Sequence, residues 1–161
     1  MSGDTRAFDA LTATVGESIV ARLTDVERRL VEIVQTRDPA ATGPSLTTLA
    51  AGGKRLRPLL VITCGAIDRA TERQAAALIS AGASVELVHM ATLVHDDVLD
   101  DAALRRGRPT VYAAEGRQAA LHTGDMLFAL AFEELTASGD IEQVRALSRA
   151  SSGLAQGELL Q

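Results

Sequence analysis

Aromatic residues and cysteine are scarce in this chain of 161 residues, and tryptophan is absent. A single cysteine, Cys64, excludes a disulfide framework within the chain and a cysteine-based zinc site. No run of β-branched and aromatic residues has the pattern of a strand, whereas alanine and leucine are abundant. This composition predicts an all-α fold, within one domain that covers residues 1–161.

Signals for export, membrane insertion and nucleic-acid binding are also missing. The first four residues lack the charged-then-apolar pattern of a secretion signal. The most apolar stretch, about residues 75–94, is interrupted by Glu86 and His89, which predicts a buried core helix and no membrane span. A net charge of −5 argues against a broad nucleic-acid surface. We therefore expect a cytoplasmic protein with no nucleic-acid partner.

The helical pattern divides the chain into several segments. Apolar residues at steps of three and four predict a long helix over about 11–34, which ends before Pro39. Ser45 is predicted to cap a short helix inside a segment rich in small and polar residues, 39–53. Further helices are predicted over about residues 54–70, 72–101, 117–137 and from 141 onward.

The ends of these segments carry recognisable signals. Pro58 falls in the first turns of the second helix, and Thr71 with Gln74 resembles a capping box before the third. Residues 106–109 are predicted to form a loop, and Asp140 is predicted to cap the last helix. That helix meets no stop signal before the chain ends, which suggests a truncated protein or one completed by a partner.

Four carboxylates within six positions, Asp96, Asp97, Asp100 and Asp101, end the central apolar helix. Asp96 and Asp100 are one turn apart and could hold an oxygen-loving cation such as Mg²⁺ between them, with Asp97 as a direct or indirect ligand. The alternative is a solvated acidic helix end. Acid is unfavourable at a helix C-terminus, so stability does not explain the cluster, and this favours the metal site.

Basic residues form two further clusters. Lys54 and Arg57 share a face if a helix begins there, and the preceding glycines allow an anion to approach the backbone. Arg105 and Arg106 are adjacent and could bind two different phosphates through their guanidinium forks. Solvated turns and pairing with the nearby aspartates are the alternatives.

His89 lies two turns before Asp96 on the same polar stripe of the helix. A lone histidine in a core helix is often structural, but its neighbours favour a role in binding phosphate oxygen. The clusters together indicate two anionic ligands. One would be held through metal by the aspartates, and the other directly by lysine, arginine and histidine.

Four motifs resemble, in order and spacing, the trans-isoprenyl (polyprenyl) diphosphate synthases. They are GGKRLRP at 52–58, VELVH at 85–89, LVHDDVLDD at 93–101 and LRRGRPT at 104–110. The resemblance extends from about residue 11 to the end and includes Gly124-Asp125 and the QGE at 156–158. It implies an isoprenoid-synthase bundle of helices around a central cavity, of which this chain is the N-terminal half.

The resemblance also implies roles for these residues. Asp96, Asp97 and Asp100 match the first aspartate-rich motif, which binds Mg²⁺ and the allylic diphosphate, and Arg105 matches a contact to that diphosphate. The implied contacts to isopentenyl diphosphate are Lys54, Arg57, His89 and Arg106. The implied reaction is a head-to-tail condensation in which the metal assists ionisation of the allylic diphosphate.

Product length is implied by the residues just before the aspartates. In this family aromatic side chains there stop growth early, and here the positions are Ala91 and Thr92. The small residues suggest a medium- or long-chain polyprenyl synthase, with a farnesyl or geranylgeranyl diphosphate synthase as the alternative. On a helical wheel Thr92 borders the acidic face, whereas Ala91 points away from it. Packing against a neighbouring helix is the other explanation for both residues.

The chain departs from the family in lacking the second aspartate-rich motif, which neither Asp125 nor Glu133-Glu134 supplies. It therefore fits a fragment, one half of a split enzyme, or a regulatory subunit that pairs with a catalytic chain. A homodimer, or a partner chain with the second motif, is expected, and the isolated chain is predicted to be inactive. A class I terpene cyclase is disfavoured, since it needs no site for isopentenyl diphosphate.

Overall fold

The computed structural model describes residues 16–35, 39–65, 72–158 and 160. Within these ranges the chain consists of seven helices and one short hairpin, which confirms the all-α prediction. The elements are α1 (Glu17–Gln35), α2 (Pro39–Ala50), α3 (Leu56–Gly65), α4 (Glu72–Leu99), β1 (Leu104–Arg105), β2 (Arg108–Pro109), α5 (Val111–Glu115), α6 (Arg117–Ala137) and α7 (Ile141–Glu158).

The central helix α4 is apolar on most sides, as predicted, because other helices surround it. It packs most extensively against α6, and then against α3 and α1. Leu87, Ala91 and Val94 on α4 contribute to one core with residues of α1 and α6. The stretch Gln74–Leu99 is long and apolar enough to cross a membrane by length and composition alone. The helix packs against three other helices, and burial on several sides is enough to explain why it is so apolar.

Helix α2 differs from the prediction at Ser45. The helix begins at Pro39 and ends at Ala50, so Ser45 lies buried near its middle and does not cap it. Proline suits a first helical position because its fixed φ matches the helix and no partner is needed for its nitrogen. The Thr42 hydroxyl donates to the Val34 carbonyl at 3.2 Å and ties α2 to the end of α1.

Helix α3 begins later than predicted, at Leu56 rather than at Lys54. Pro58 lies in its first turn, as expected. Lys54 precedes the helix, so the condition under which Lys54 and Arg57 would share a helical face is not met. The predicted capping residue Thr71, the end of this helix after residue 65 and the part of the first helix before residue 16 lie outside the described residues.

Helix α4 ends at Leu99, two residues before the predicted end. Asp101 adopts a left-handed conformation with a φ of 49°, and the Ala102 amide donates to the Asp97 carbonyl at 2.9 Å. This is the arrangement of a Schellman end, in which aspartate takes the position that glycine usually occupies. The turn leaves Asp96 and Asp97 on the last helical turn and Asp100 just beyond it.

A hairpin replaces the predicted loop at 106–109. Strands β1 and β2 are antiparallel, and they pair Leu104 with Pro109 and Arg105 with Arg108. Arg106 and Gly107 both have positive φ angles, 53° and 76°, as a two-residue type I′ turn requires. The short helix α5, which follows, was not predicted.

The last two helices follow their sequence signals. Helix α6 has the predicted bounds, Arg117–Ala137. The Asp140 carboxylate accepts from the amides of Glu142 and Gln143 at 3.0 and 3.3 Å, which confirms it as the N-cap of α7.

Candidate functional site

The end of α4 presents two carboxylates on one side. Asp96 is half-buried and Asp100 is exposed, and among the described residues neither accepts a side-chain hydrogen bond. Burial raises the pKa of Asp96, and the charges of Asp100 and Asp97 raise it further against the opposing effect of Arg105. A second positive charge beside Asp96 would therefore be stabilised strongly.

Asp97 differs from Asp96 and Asp100 in being buried and paired with an arginine. Its side chain is only 7% exposed, and it accepts a hydrogen bond from Arg105 Nε at 2.8 Å. This pair joins the last turn of α4 to strand β1. Arg105 is therefore held beside the aspartates, with about a third of its side chain still exposed.

The three predicted metal-binding aspartates do not converge on one point. Across residues 16–35, 39–65, 72–158 and 160, no group of three His, Cys, Asp or Glu side chains is close enough to hold a metal ion. Asp96 and Asp100 remain a pair of oxygen donors one turn apart. Such a pair fits Mg²⁺, which commonly takes one or two carboxylates and completes its shell with water and substrate phosphate.

The basic side of the site is a segment between α2 and α3. Lys54 is half-buried in this segment, and Arg57 is exposed on the first turn of α3. Arg106 donates from Nη1 to the Gly52 carbonyl, and Arg108 donates to the Ala50 carbonyl at 2.9 Å. The hairpin therefore lies against the end of α2, which brings Arg106 to the segment that contains Lys54.

His89 is the histidine that lies among these cations. Burial and the charges of Arg57, Arg106, Arg105 and Arg55 lower its pKa to about 4. The imidazole is therefore neutral at pH 7 in a region of strong positive potential. An anion bound there would be attracted by the arginines and would raise the pKa of His89 again.

His89 borders two cavities of different character. A small one, of about 40 Å³, brings together His89, Asp97, Arg105 and Arg106. A larger one, of about 410 Å³, begins at Arg57 and His89. Its walls are mostly apolar side chains of α4, α6 and α7, among them Val85, Val88, Leu135, Leu147 and Leu154. Lys54, Asp96 and Asp100 line neither of these two cavities.

Sequence reasoning missed the buried ion cluster beneath the basic segment. Arg55 contacts Glu27 of α1 and Glu86 of α4, and the Glu86 side chain is only 5% exposed. Two signals were available: Glu86 stands three residues before His89 on the polar stripe, and Arg55 stands between Lys54 and Arg57. Their pairing depends on α1, whose position the sequence pattern does not give.

The geometry combines two features that one ligand could use together. A cationic and carboxylate rim suits a diphosphate with its metal, and an adjoining apolar cavity suits a hydrocarbon chain. The helical fold and this site define a class of helical proteins that could hold a diphosphate joined to a hydrocarbon chain.

A sequence model of the polyprenyl synthetase family matches residues 39–161. The chain belongs to the polyprenyl synthetase family, as the resemblance indicated.

Curated relatives agree with this membership. The chain is 38% identical over 142 residues to heptaprenyl diphosphate synthase component 2 of Geobacillus stearothermophilus, a match that covers 86% of this chain and 42% of the relative. It is 36% identical over 113 residues to octaprenyl diphosphate synthase of Escherichia coli, with 70% of this chain and 34% of that protein covered. The chain thus spans less than half the length of these relatives.

Solved structures show the same fold. Heptaprenyl diphosphate synthase from Staphylococcus aureus superposes with a TM-score of 0.75 at 34% identity, over 89% of this chain and 45% of that one. A polyprenyl synthase from Caulobacter crescentus, complexed with calcium and isoprenyl diphosphate, gives 0.76 at 36% identity, over 88% and 42%. The expected isoprenoid-synthase fold is therefore confirmed for the matched part.

Proposed function

We propose that the protein containing this chain is a trans-polyprenyl diphosphate synthase, which condenses isopentenyl diphosphate with an allylic diphosphate. The observation that carries the proposal is the position of His89, which borders both the cationic cavity and the apolar one. A prenyl diphosphate needs both environments side by side. The named activities of the relatives support the same assignment.

The metal in this proposal is Mg²⁺, held by Asp96 and Asp100. Both are carboxylates without side-chain donors among the described residues, and the pKa of Asp96 is raised by burial and by the charges of Asp100 and Asp97, which a bound cation would offset. The calcium named in the Caulobacter structure supports use of a divalent cation. When bound, Mg²⁺ would supply charge neutralisation for the departing diphosphate.

The chain's own residues would supply the remaining steps. Arg105, oriented by Asp97, would bind the allylic diphosphate and stabilise the charge that develops as the C–O bond breaks. Lys54, Arg57, His89 and Arg106 would bind isopentenyl diphosphate. The apolar walls would exclude water from the allylic cation until the isopentenyl double bond attacks it and a proton is lost.

The large cavity supports a medium- or long-chain product, with Thr92 as the residue that limits it. Thr92 lines the cavity, whereas Ala91 is fully buried in the core and does not. We expect Thr92→Phe to shorten the product because the ring would narrow the cavity. Ala91→Phe should instead destabilise the fold by overpacking, by about 1–3 kcal/mol. Product chain length and thermal unfolding measured on both variants separate the two effects.

The activity itself is tested with the full-length protein, Mg²⁺, isopentenyl diphosphate and farnesyl diphosphate. Radiolabelled isopentenyl diphosphate should appear in polyprenyl diphosphates longer than the primer. Removal of Mg²⁺ with a chelator should abolish the product. Full activity in the chelator would contradict the metal assignment, and no product under any condition would contradict the proposed reaction.

A second chain is part of the proposal. The Geobacillus relative is named as a component of its synthase, and this chain lacks a second aspartate-rich motif. We propose that this motif comes from elsewhere in the full protein or from a partner, within a cytoplasmic dimer. The 161-residue chain assayed alone should then form no product, and rapid product formation by it would refute that requirement.

A further inference from the structure

Arg55 lies between two residues of the proposed diphosphate site, yet its own side chain turns away into the protein. It is only 10% exposed, whereas Arg57 is exposed and Lys54 is half-buried. Its backbone has a φ of 46°, a left-handed conformation that is costly for a residue other than glycine. Such a conformation persists where surrounding contacts fix it firmly.

The contacts of the Arg55 guanidinium come from three helices. Nε donates to Glu27 Oε1 of α1 at 2.6 Å, and Nη1 donates to Glu86 Oε1 of α4 at 2.9 Å. Nη2 donates to Glu27 Oε2 at 3.3 Å and to the Leu49 carbonyl of α2 at 3.2 Å. Four of the five N–H donors of an arginine are thus used inside the protein.

Arg55 is therefore unsuited to bind a substrate anion itself. Burial lowers its pKa, but Glu27 and Glu86 outweigh that effect and hold the pKa above its ordinary value. Its charge is matched by two carboxylates. Gly53 leaves room for two guanidinium groups. A Cβ at this position would lie 3.3 Å from Arg55 Nη1 and 3.2 Å from Arg106 Nη1.

The position of Glu86 connects this cluster to the site. Glu86 lies three residues before His89 on α4, so the two side chains lie on the same face of the helix. The Arg55–Glu86 pair thus fixes the backbone between Lys54 and Arg57 directly above the turn that carries His89. The pair adds to the packing of α3 on α4 a polar contact that holds the segment of Lys54 in place relative to His89.

We propose that Arg55 is a positioning residue that aligns Lys54 and Arg57 with His89 for binding one diphosphate. The inference rests on the proposed function, in which that diphosphate belongs to isopentenyl diphosphate. Arg55 acts through Glu27 and Glu86 and does not touch the ligand. Arg55 makes no hydrogen bond to the aspartates at the end of α4.

The chain offers a matched control on the other side of α1. Arg29 donates to both oxygens of Glu134, at 3.0 and 2.7 Å, and the Glu134 side chain is 5% exposed. This pair joins α1 to α6 through both carboxylate oxygens of Glu134, with the Arg29 side chain 42% exposed against 10% for Arg55. The residues around it are different, however, since Glu134 lines neither of the two cavities that His89 borders.

The test compares Arg55→Gln, Arg55→Lys, Glu86→Gln and Arg29→Gln in the full-length protein. Steady-state kinetics give KM for isopentenyl diphosphate and for farnesyl diphosphate, and thermal unfolding gives the loss of stability. We expect both Arg55 variants to raise KM for isopentenyl diphosphate about tenfold or more, because small misplacements of binding groups are costly. KM for farnesyl diphosphate should stay unchanged, and Glu86→Gln should give a smaller change of the same kind.

Arg29→Gln should lower the melting temperature and leave both KM values unchanged. If Arg55→Gln does not fold, Arg55→Lys decides, because it keeps the charge and loses the fork. An Arg55→Lys protein with wild-type KM for isopentenyl diphosphate would overturn the inference, and so would a fall in kcat with both KM values unchanged. A wild-type protein that neither binds nor consumes isopentenyl diphosphate would instead reject the proposed function and the inference with it.

Discussion

Asp96 and Asp100 extend from the end of α4 without side-chain donors among the described residues, whereas the cations across the site are held by the protein. Arg105 pairs with Asp97, Arg106 contacts the Gly52 carbonyl, and the segment of Lys54 is fixed through Arg55. Arg105 offsets part of this acidic charge, but no side chain in the described ranges donates a hydrogen bond to Asp96 or Asp100. The basic side has its geometry set in advance.

This contrast separates two ways in which a site can favour a metal diphosphate. Unpaired carboxylates raise affinity for a cation at a cost to stability, because like charges repel and the helix dipole opposes them. Prearranged cations lose little freedom when the anion binds. Substitution of an unpaired acidic residue should therefore lower activity with little loss of stability. Substitution of a residue that holds the cations should lower both.

The largest expected effect is that of Asp96→Ala. We expect a loss of several orders of magnitude in kcat, since metal-assisted ionisation would fail. The melting temperature should stay the same or rise, because a carboxylate that opposes the helix dipole is removed. Product formation and thermal unfolding of the full-length protein measure the two quantities, and a near-normal turnover would contradict the metal assignment.

Gly124→Ala should destabilise the protein through His95, the residue next to Asp96. A Cβ on Gly124 would overlap the imidazole of His95, which stacks on Phe128 and lies 3.4 Å from Asp125 Oδ1. His95 precedes Asp96, so the ring must leave its position beside the aspartates and lose its stacking on Phe128. We expect a loss of about 3 kcal/mol in the free energy of unfolding, measured in urea. A wild-type stability would show that the ring can leave its place without cost.

Asp97→Asn tests whether Asp97 stabilises the protein through its ion pair with Arg105. The substitution removes the charge that Arg105 is paired with, and the cost should be about 2 kcal/mol of stability, because Arg105 keeps access to solvent. Asp96→Asn is the matched control and should cost nothing. Equal stabilities for the two asparagine variants would contradict the difference that we draw between neighbouring carboxylates.

The smallest expected effect is the pH dependence contributed by His89. The folded protein keeps His89 neutral down to a pKa of about 4, whereas the unfolded chain takes up a proton near 6.5. The unfolded state therefore binds more protons between these values, and stability falls as the pH drops from 6.5 towards 4. Because solvent screens a half-buried ring, we expect a loss of about 0.5 kcal/mol between pH 7 and pH 5.5. Urea unfolding of the wild type and of His89→Gln at both pH values isolates this contribution, and an identical pH dependence would exclude it.

The sequence predicted those elements whose signals are local. The bounds of α6 and the cap at Asp140 follow from residues within a few positions of each other. Ser45 was predicted to be a cap because serine is a common N-cap residue, but the helix already begins at Pro39. The hairpin at 104–109 was missed because its strands are only two residues long.

The residues of the site also divide into those placed by local sequence and those placed by contacts between distant segments. The positions of His89 and Asp96 on one helix follow from helical geometry, with Asp100 one residue beyond its end. The pairing of Asp97 with Arg105 depends on how the chain turns after Asp101, and the pairing of Arg55 with Glu27 depends on where α1 packs. Contacts between distant segments of the chain require the packing of whole helices, which no local pattern contains.

The two-residue turn of the hairpin has a consequence for how this chain tolerates insertion and deletion. Side chains alternate between faces along a strand, so one residue added or lost within 104–109 would move Arg105 away from Asp97 and Arg106 away from Gly52 at once. Surface loops usually absorb such changes, but this one should not. Its length is therefore as much a part of the site as the arginines themselves.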